Sequence, residues 1–147
     1  MAEATQVGDH GTCVVFGTGV AWAAALEGAL LLKEIAQIPA ECAASTRAAT
    51  SLMTAIAAGA LVLALPTGHH GDPLAGEAAR VLAARGAEVL VVPGSYGHDP
   101  RLSPITSFPA IAALAIELGL RKGLNVDHPD WLDSYNATAR ATTSADR

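Results

Sequence analysis

Apolar runs broken by glycine and proline divide this chain into strand-sized and helix-sized pieces. TCVVFGTG (12–19) is a short run of β-formers closed by glycines, and an alanine- and leucine-rich segment follows it directly, which predicts a strand–loop–helix unit. That helix is expected from about Ala21 to about Gln37, because Pro39 disfavours helical geometry in the residue before it. ALVLALP (60–66) predicts a second strand. The loop TGHHGDP then leads into LAGEAARVLAARG, where Leu74, Ala78, Val81 and Leu82 share one helical face and Gly86 can end the helix. AEVLVVPG (87–94) is almost wholly apolar, as expected of an interior strand covered on both faces. A closing helix is expected in ITSFPAIAALAIELGLRKGLN, with Pro109 in its first turn and Arg121 and Lys122 near its C-terminal end, where cations suit the dipole.

Alternating strands and helices with short connections imply an α/β fold. The expected form is a three-layer sandwich, flavodoxin- or Rossmann-like, with a mostly parallel sheet flanked by helices and right-handed crossovers. Ligands in such folds bind beyond the carboxyl ends of the strands. The expected organisation is a flexible N-terminus (1–11), one domain (12–135) and a polar C-terminal tail (136–147) whose last residues, TTSADR, are disordered.

Composition narrows the function classes. With 51% hydrophobic residues the chain can bury a substantial core, while 16% charged residues and a net charge of -5 leave no basic stripe for a nucleic-acid backbone. Cys13 and Cys42 have neither CxxC nor Cys/His spacing, which fits reduced thiols, and MAEATQVGDHGT lacks the features of a signal peptide, so a cytoplasmic protein is expected. AATSLMTAIAAGALVLALP (48–66) is uncharged and about long enough to cross a bilayer. Thr50, Ser51, Thr54, Gly59 and Pro66 break it into a helical piece and a strand, and no Lys or Arg cluster flanks it, so a buried core is expected and no membrane partner.

Three motifs carry candidate chemistry. Gly17, Thr18 and Gly19 precede a helix N-terminus, where free N–H groups favour an anion such as phosphate; Trp22 stands where a dinucleotide fingerprint needs glycine, and a tight turn explains the glycines equally well. HHGDP (69–73) invites a metal, but adjacent histidines lack one-face geometry and no further ligand cluster is evident, so a polar turn is expected and no metal; Tyr96, His98 and Asp99 read as another ordinary loop. In LEGALLLKEIAQIPAE (26–41), Glu27, Leu31 and Glu34 line one helical stripe, with Lys33 turned away from it. Their neighbours suit burial, and a desolvated carboxylate there could shuttle a proton; the alternative is a partly exposed face with a satisfied ion pair.

GTGVAWAAALEGALLLKEIAQIPAE resembles the start of the second sugar-isomerase (SIS) half of glutamine:fructose-6-phosphate amidotransferases and related phosphosugar isomerases and deaminases. There a Gly-x-Gly turn precedes ALEGALKLKEI and HAE. ALVLALP, LAGEAARVLAARG and AEVLVV follow in the family's order, and ITSFPAIAALAIELGLRKGLNVDHPDWL resembles its closing helix and DxDxPxxL tail. The likeness covers about Thr12 to Tyr135. It implies a sugar-phosphate ligand, no cofactor, and another SIS half or a second copy as partner. Glu34 matches the glutamate that moves a proton between C1 and C2 of the sugar. Gly17, Thr18, Gly19, Glu27, Lys33, Thr50 and Ser134 are the implied substrate-binding positions.

The chain also departs from the pattern. Leu31 stands where the family has a lysine, Thr50 where it has the ring-opening histidine, and Ser134 is nearest to the tail lysine. The SxSGxT-like phosphate loop of the first half is absent. Two functions are therefore expected as alternatives: part of a sugar-phosphate isomerase or amino-sugar-phosphate deaminase working through an enediol or enamine, or a non-catalytic partner or sensor domain that keeps the fold. Self-association is expected under both, through the small residues of the first helix packing on a symmetry mate.

Overall fold

The computed structural model describes residues 11–48, 50–56, 58–67, 72–92, 94 and 99–145. Four strands, β1 (Cys13–Gly17), β2 (Ala40–Ala44), β3 (Leu61–Leu65) and β4 (Glu88–Val91), form one parallel sheet in the order β2-β1-β3-β4. Helix α1 (Ala21–Glu34) joins β1 to β2; α2 (Ser45–Ala48) and α3 (Ser51–Ala55) lead to β3; α4 (Asp72–Ala84) leads to β4; α5 (Ser103–Arg121) and α6 (Trp131–Ala145) follow. The expected three-layer α/β sandwich is therefore present.

Strand alternation builds the two hydrophobic layers. Cys13 and Val15 of β1 and Leu61, Leu63 and Leu65 of β3 point to one face, where they meet α1 and α5. Val14, Phe16, Val62 and Ala64 point to the other, against α3 and α4. On the first face α1 lies close to α5 at Gly28, where an added Cβ would come within 3.0 Å of Ile111 Cγ2. Among the described residues, one helical stretch, Pro100–Arg121, is long and apolar enough to cross a membrane. Its Ile111, Leu114, Ala115 and Leu118 are buried in this layer, as a core helix requires. The uncharged stretch at 48–66 resolves into α3 and β3.

Several expectations are corrected. Helix α1 stops at Glu34, three residues early, because Gln37 takes a left-handed conformation (φ 49°) and Ile38 N–H turns back to Leu32 O at 3.0 Å. Strand β2, with its alanines and lack of a β-branched run, was not expected. β4 is an edge strand, paired only with β3 among the described residues, and Val91 is 58% exposed. On α4 the buried positions are Ala75, Ala78, Ala79 and Leu82, with Leu74 exposed; Gly86 does end this region, at φ 89°. Helix α5 starts at Ser103, so Pro104 takes the first turn and Pro109 lies inside the helix. Pro109 and Ile105, whose carbonyl loses its usual donor, are both exposed, which puts the broken bond on the solvent side. The polar tail is helical to Ala145 instead of disordered, with a Trp131–Tyr135 pair one turn apart, ring centroids 6.1 Å from each other.

Candidate functional site

Helix α1 divides the candidate residues between two edges of the sheet. It leaves β1 at the carboxyl ends of the strands and runs back to the amino-terminal edge, where Cys13 N–H donates to Pro39 O at 2.8 Å. Its 14 residues put about 20 Å between its ends. Gly17, Thr18 and Gly19 therefore stand at the carboxyl edge, while Thr50 precedes α3, whose Leu52 and Ala55 line a hollow with Cys13, Val14 and Glu41. Lys33 and Glu34 stand at the opposite edge, with Ser134 on the nearby α6. Glu27 lies about 10 Å along α1 from Glu34 and lines a different hollow, with Ala23, Pro104, Ile105 and Phe108.

The carboxyl-edge turn closes on itself. Ala21 N–H donates to Thr18 O at 3.2 Å and Trp22 N–H to Gly19 O at 3.1 Å. Gly19 has φ 59°, and a Cβ on Gly17 would come within 2.9 Å of Ala21 O. These features satisfy the tight-turn explanation of the glycines. The exposed Thr50 donates its hydroxyl to Thr46 O at 2.9 Å.

The amino-terminal edge holds an open cavity of about 450 Å³ lined by Lys33, Glu34, Trp131, Leu132 and Tyr135. Glu27, Lys33 and Glu34 are all exposed, which agrees with the alternative of an exposed helix face. Glu34 is the last residue of α1, and its backbone carbonyl accepts a 3.1 Å hydrogen bond from Trp131 Nε1. Lys122 Nζ donates to Ala36 O and Gln37 O, each at 3.1 Å, just beyond the helix end. An ammonium there also suits the negative end of the helix dipole. On neighbouring β2, burial pushes the Cys42 thiol pKa up and Glu41 adds to it, while the Lys33 ammonium pulls the other way. The cavity thus offers a carboxylate, an ammonium and two aromatic rings, a set able to hold a hydroxyl-rich anion and to exchange a proton with it.

Trp131, Leu132 and Tyr135 were missed in the sequence reading. The signal available was an i, i+1, i+4 apolar cluster opening an otherwise polar tail. His69, His70, Tyr96 and His98 lie outside the described residues, and Asp99 accepts from Arg101 N–H at 2.9 Å as the cap of a short turn.

Residues 9–99 match the model of the SIS domain family. The chain belongs to that family. It is 31% identical over 128 residues to a glutamine--fructose-6-phosphate aminotransferase (isomerizing) of Geobacillus kaustophilus, covering 80% of this chain and 21% of the relative. Glucosamine-6-phosphate deaminase of Thermotoga maritima shares the fold with a TM-score of 0.71 at 20% identity, over 82% of this chain and 39% of that one. The C-terminal domain of glucosamine-fructose-6-phosphate aminotransferase from Francisella tularensis gives 0.71 at 21% identity, again over 82% and 39%. This SIS domain therefore spans about a fifth of the curated relative and two fifths of these solved chains.

Proposed function

We propose that this SIS domain binds a phosphorylated sugar or amino sugar and works in a cytoplasmic aldose–ketose isomerase or amino-sugar-phosphate deaminase, with Glu34 as the base that moves the proton between C1 and C2. The observation that carries this reading is the position of Glu34, at the rim of an open cavity whose other wall is aromatic. A carboxylate suits the step, since one group must remove a proton from one carbon and return it to its neighbour. Lys33 supplies a cation for the phosphate.

The division of the candidates between two edges supports a site shared with another SIS half or a second copy. In a twofold pairing, Gly17, Thr18 and Gly19 of one unit face Lys33, Glu34 and Ser134 of the other. The alanine face of α1 is not the pairing surface, contrary to expectation, because Ala21, Ala24, Ala25 and Ala29 are buried against the unit's own sheet and α5. The exposed side of α1 carries Trp22, Leu26 and Leu30, and α5 adds Ile105, Phe108 and Ile116. Apolar exposure on this scale favours a covered face.

Glu34→Gln tests the base. Solvent-deuterium exchange into fructose 6-phosphate should fall about 10²-fold in the variant, with thermal stabilisation by the same ligand retained. Exchange that survives the substitution rejects Glu34 as the base. One observation favours the non-catalytic alternative: the Thr50 hydroxyl, at the place of the family's ring-opening histidine, is tied to its own turn. That alternative predicts ligand stabilisation, or assembly alone, with no exchange in the unaltered chain.

A further inference from the structure

A helix that ends at Glu34 leaves its last carbonyls short of intrahelical donors, and here nearby backbone and distant side chains share the task of supplying them. Leu31 O accepts from Ile35 N–H at 2.8 Å and Leu32 O from Ile38 N–H at 3.0 Å. Three further carbonyls are met from outside: Glu34 O by Trp131 Nε1, 97 positions on, and Ala36 O and Gln37 O by Lys122, more than 80 positions on. Gly119 lets α5 approach the same turn, since a Cβ there would come within 2.8 Å of Ile35 O. The turn that bears Lys33 and Glu34 is therefore held from the outside by the end of α5 and the first turn of α6.

Trp131 has a second task. Its ring, with Leu132 and Tyr135, lines the same cavity as Lys33 and Glu34. From Asp133 to Ala141 every residue of α6 is exposed, so the helix is seated by its first turn. One side chain thus both holds the backbone of Glu34 and lines the cavity beside it.

We infer that Trp131 and Lys122 are positioning residues for Glu34: their bonds to Glu34 O, Ala36 O and Gln37 O hold the carboxylate in register with the cavity. The inference rests on the reading of Glu34 as the base. Positioning acts on the chemical step more than on binding, because a small displacement of a catalytic group costs rate while leaving ligand contacts in place. Lys122 separates this role from that of a wall, since it does not line the cavity.

The test is deuterium exchange into fructose 6-phosphate by the full chain and by Trp131→Phe, Lys122→Met and Glu34→Gln, each measured over a range of ligand concentrations and below its own Tm. The rate at saturation is expected to fall about tenfold in Trp131→Phe and about threefold in Lys122→Met, with half-saturating concentrations within about threefold of the parent. Unchanged rates at saturation in both variants, alongside loss in Glu34→Gln, overturn the inference and leave the base reading standing. A higher half-saturating concentration as the only effect also overturns it, since that marks a binding wall. Should Trp131→Phe fail to fold, Lys122→Met decides. If the parent chain exchanges no deuterium, or Glu34→Gln exchanges as the parent does, the base reading fails and this inference falls with it.

Discussion

The two ends of α1 differ in how their unpaired backbone groups are satisfied. At the N-terminal end, the N–H groups of Ala21 and Trp22 are taken by Thr18 O and Gly19 O of the turn just before them. At the C-terminal end, Ile38 N–H turns back to Leu32 O, while from the far end of the sequence Trp131 reaches Glu34 O and Lys122 reaches Ala36 O and Gln37 O just beyond the helix. The local solution needs glycine and little else; the distant one needs α5, the tail and α6 all in place. Among the described residues, the cavity lined by Lys33 and Glu34 also lies at the distant end. A site can therefore lie where the fold brings remote segments together, even when the short motif that draws attention lies elsewhere.

The sharpest way to break this contrast is to disturb the tertiary end alone. Gly119→Ala places a Cβ 2.8 Å from Ile35 O and 2.8 Å from Val126 Cγ1, so α5 and the end of α1 must move apart. A loss of about 2 kcal/mol is expected, despite the better helix propensity of alanine, and for a chain of this size Tm should drop by roughly 6 °C. Gly19→Ala tests the local end. No atom lies within 4 Å of its added Cβ, so the cost is the left-handed φ of 59° alone, about 1 kcal/mol. Thermal melts of the two variants check both values. If Gly19→Ala were the more damaging, the N-terminal turn would be the critical end and the comparison would reverse.

The fold was legible wherever a strand has a compact apolar run. CVVFG, LVLAL and EVLV stand out by β-branched and leucine content, and the breaks at Gly17, Pro66 and Gly86 separate them from helices. AECAA was not legible, because alanine and glutamate do not signal a strand; β2 exists by pairing with β1. The edge position of β4 was hidden for a related reason: an apolar run reports how much a strand can bury, not how many neighbours it has. Of the candidate site, Lys33 and Glu34 were legible through the family resemblance. The separation of Glu34 from Gly17–Gly19 follows from the length and direction of α1, and the aromatic wall depends on a chain reversal after α5 that no local pattern encodes.

A pH-dependent effect concerns the sheet edge shared with Glu34. Cys13 opens β1 there, and burial pushes its thiol pKa up from 9.0 to about 12. In the unfolded chain the thiol ionises near its ordinary value, while the folded state keeps it protonated, so from about pH 9 the unfolded state binds fewer protons. Its contribution to stability is complete below pH 9 and is lost progressively as pH rises toward 12. Denaturant melts between pH 8 and 10.5 should show the parent losing stability more steeply than Cys13→Ala, which starts lower because of the cavity it creates. Parallel slopes for the two proteins would mean that water reaches Cys13, and that this edge is open beneath the strands as well as at the cavity beside Glu34.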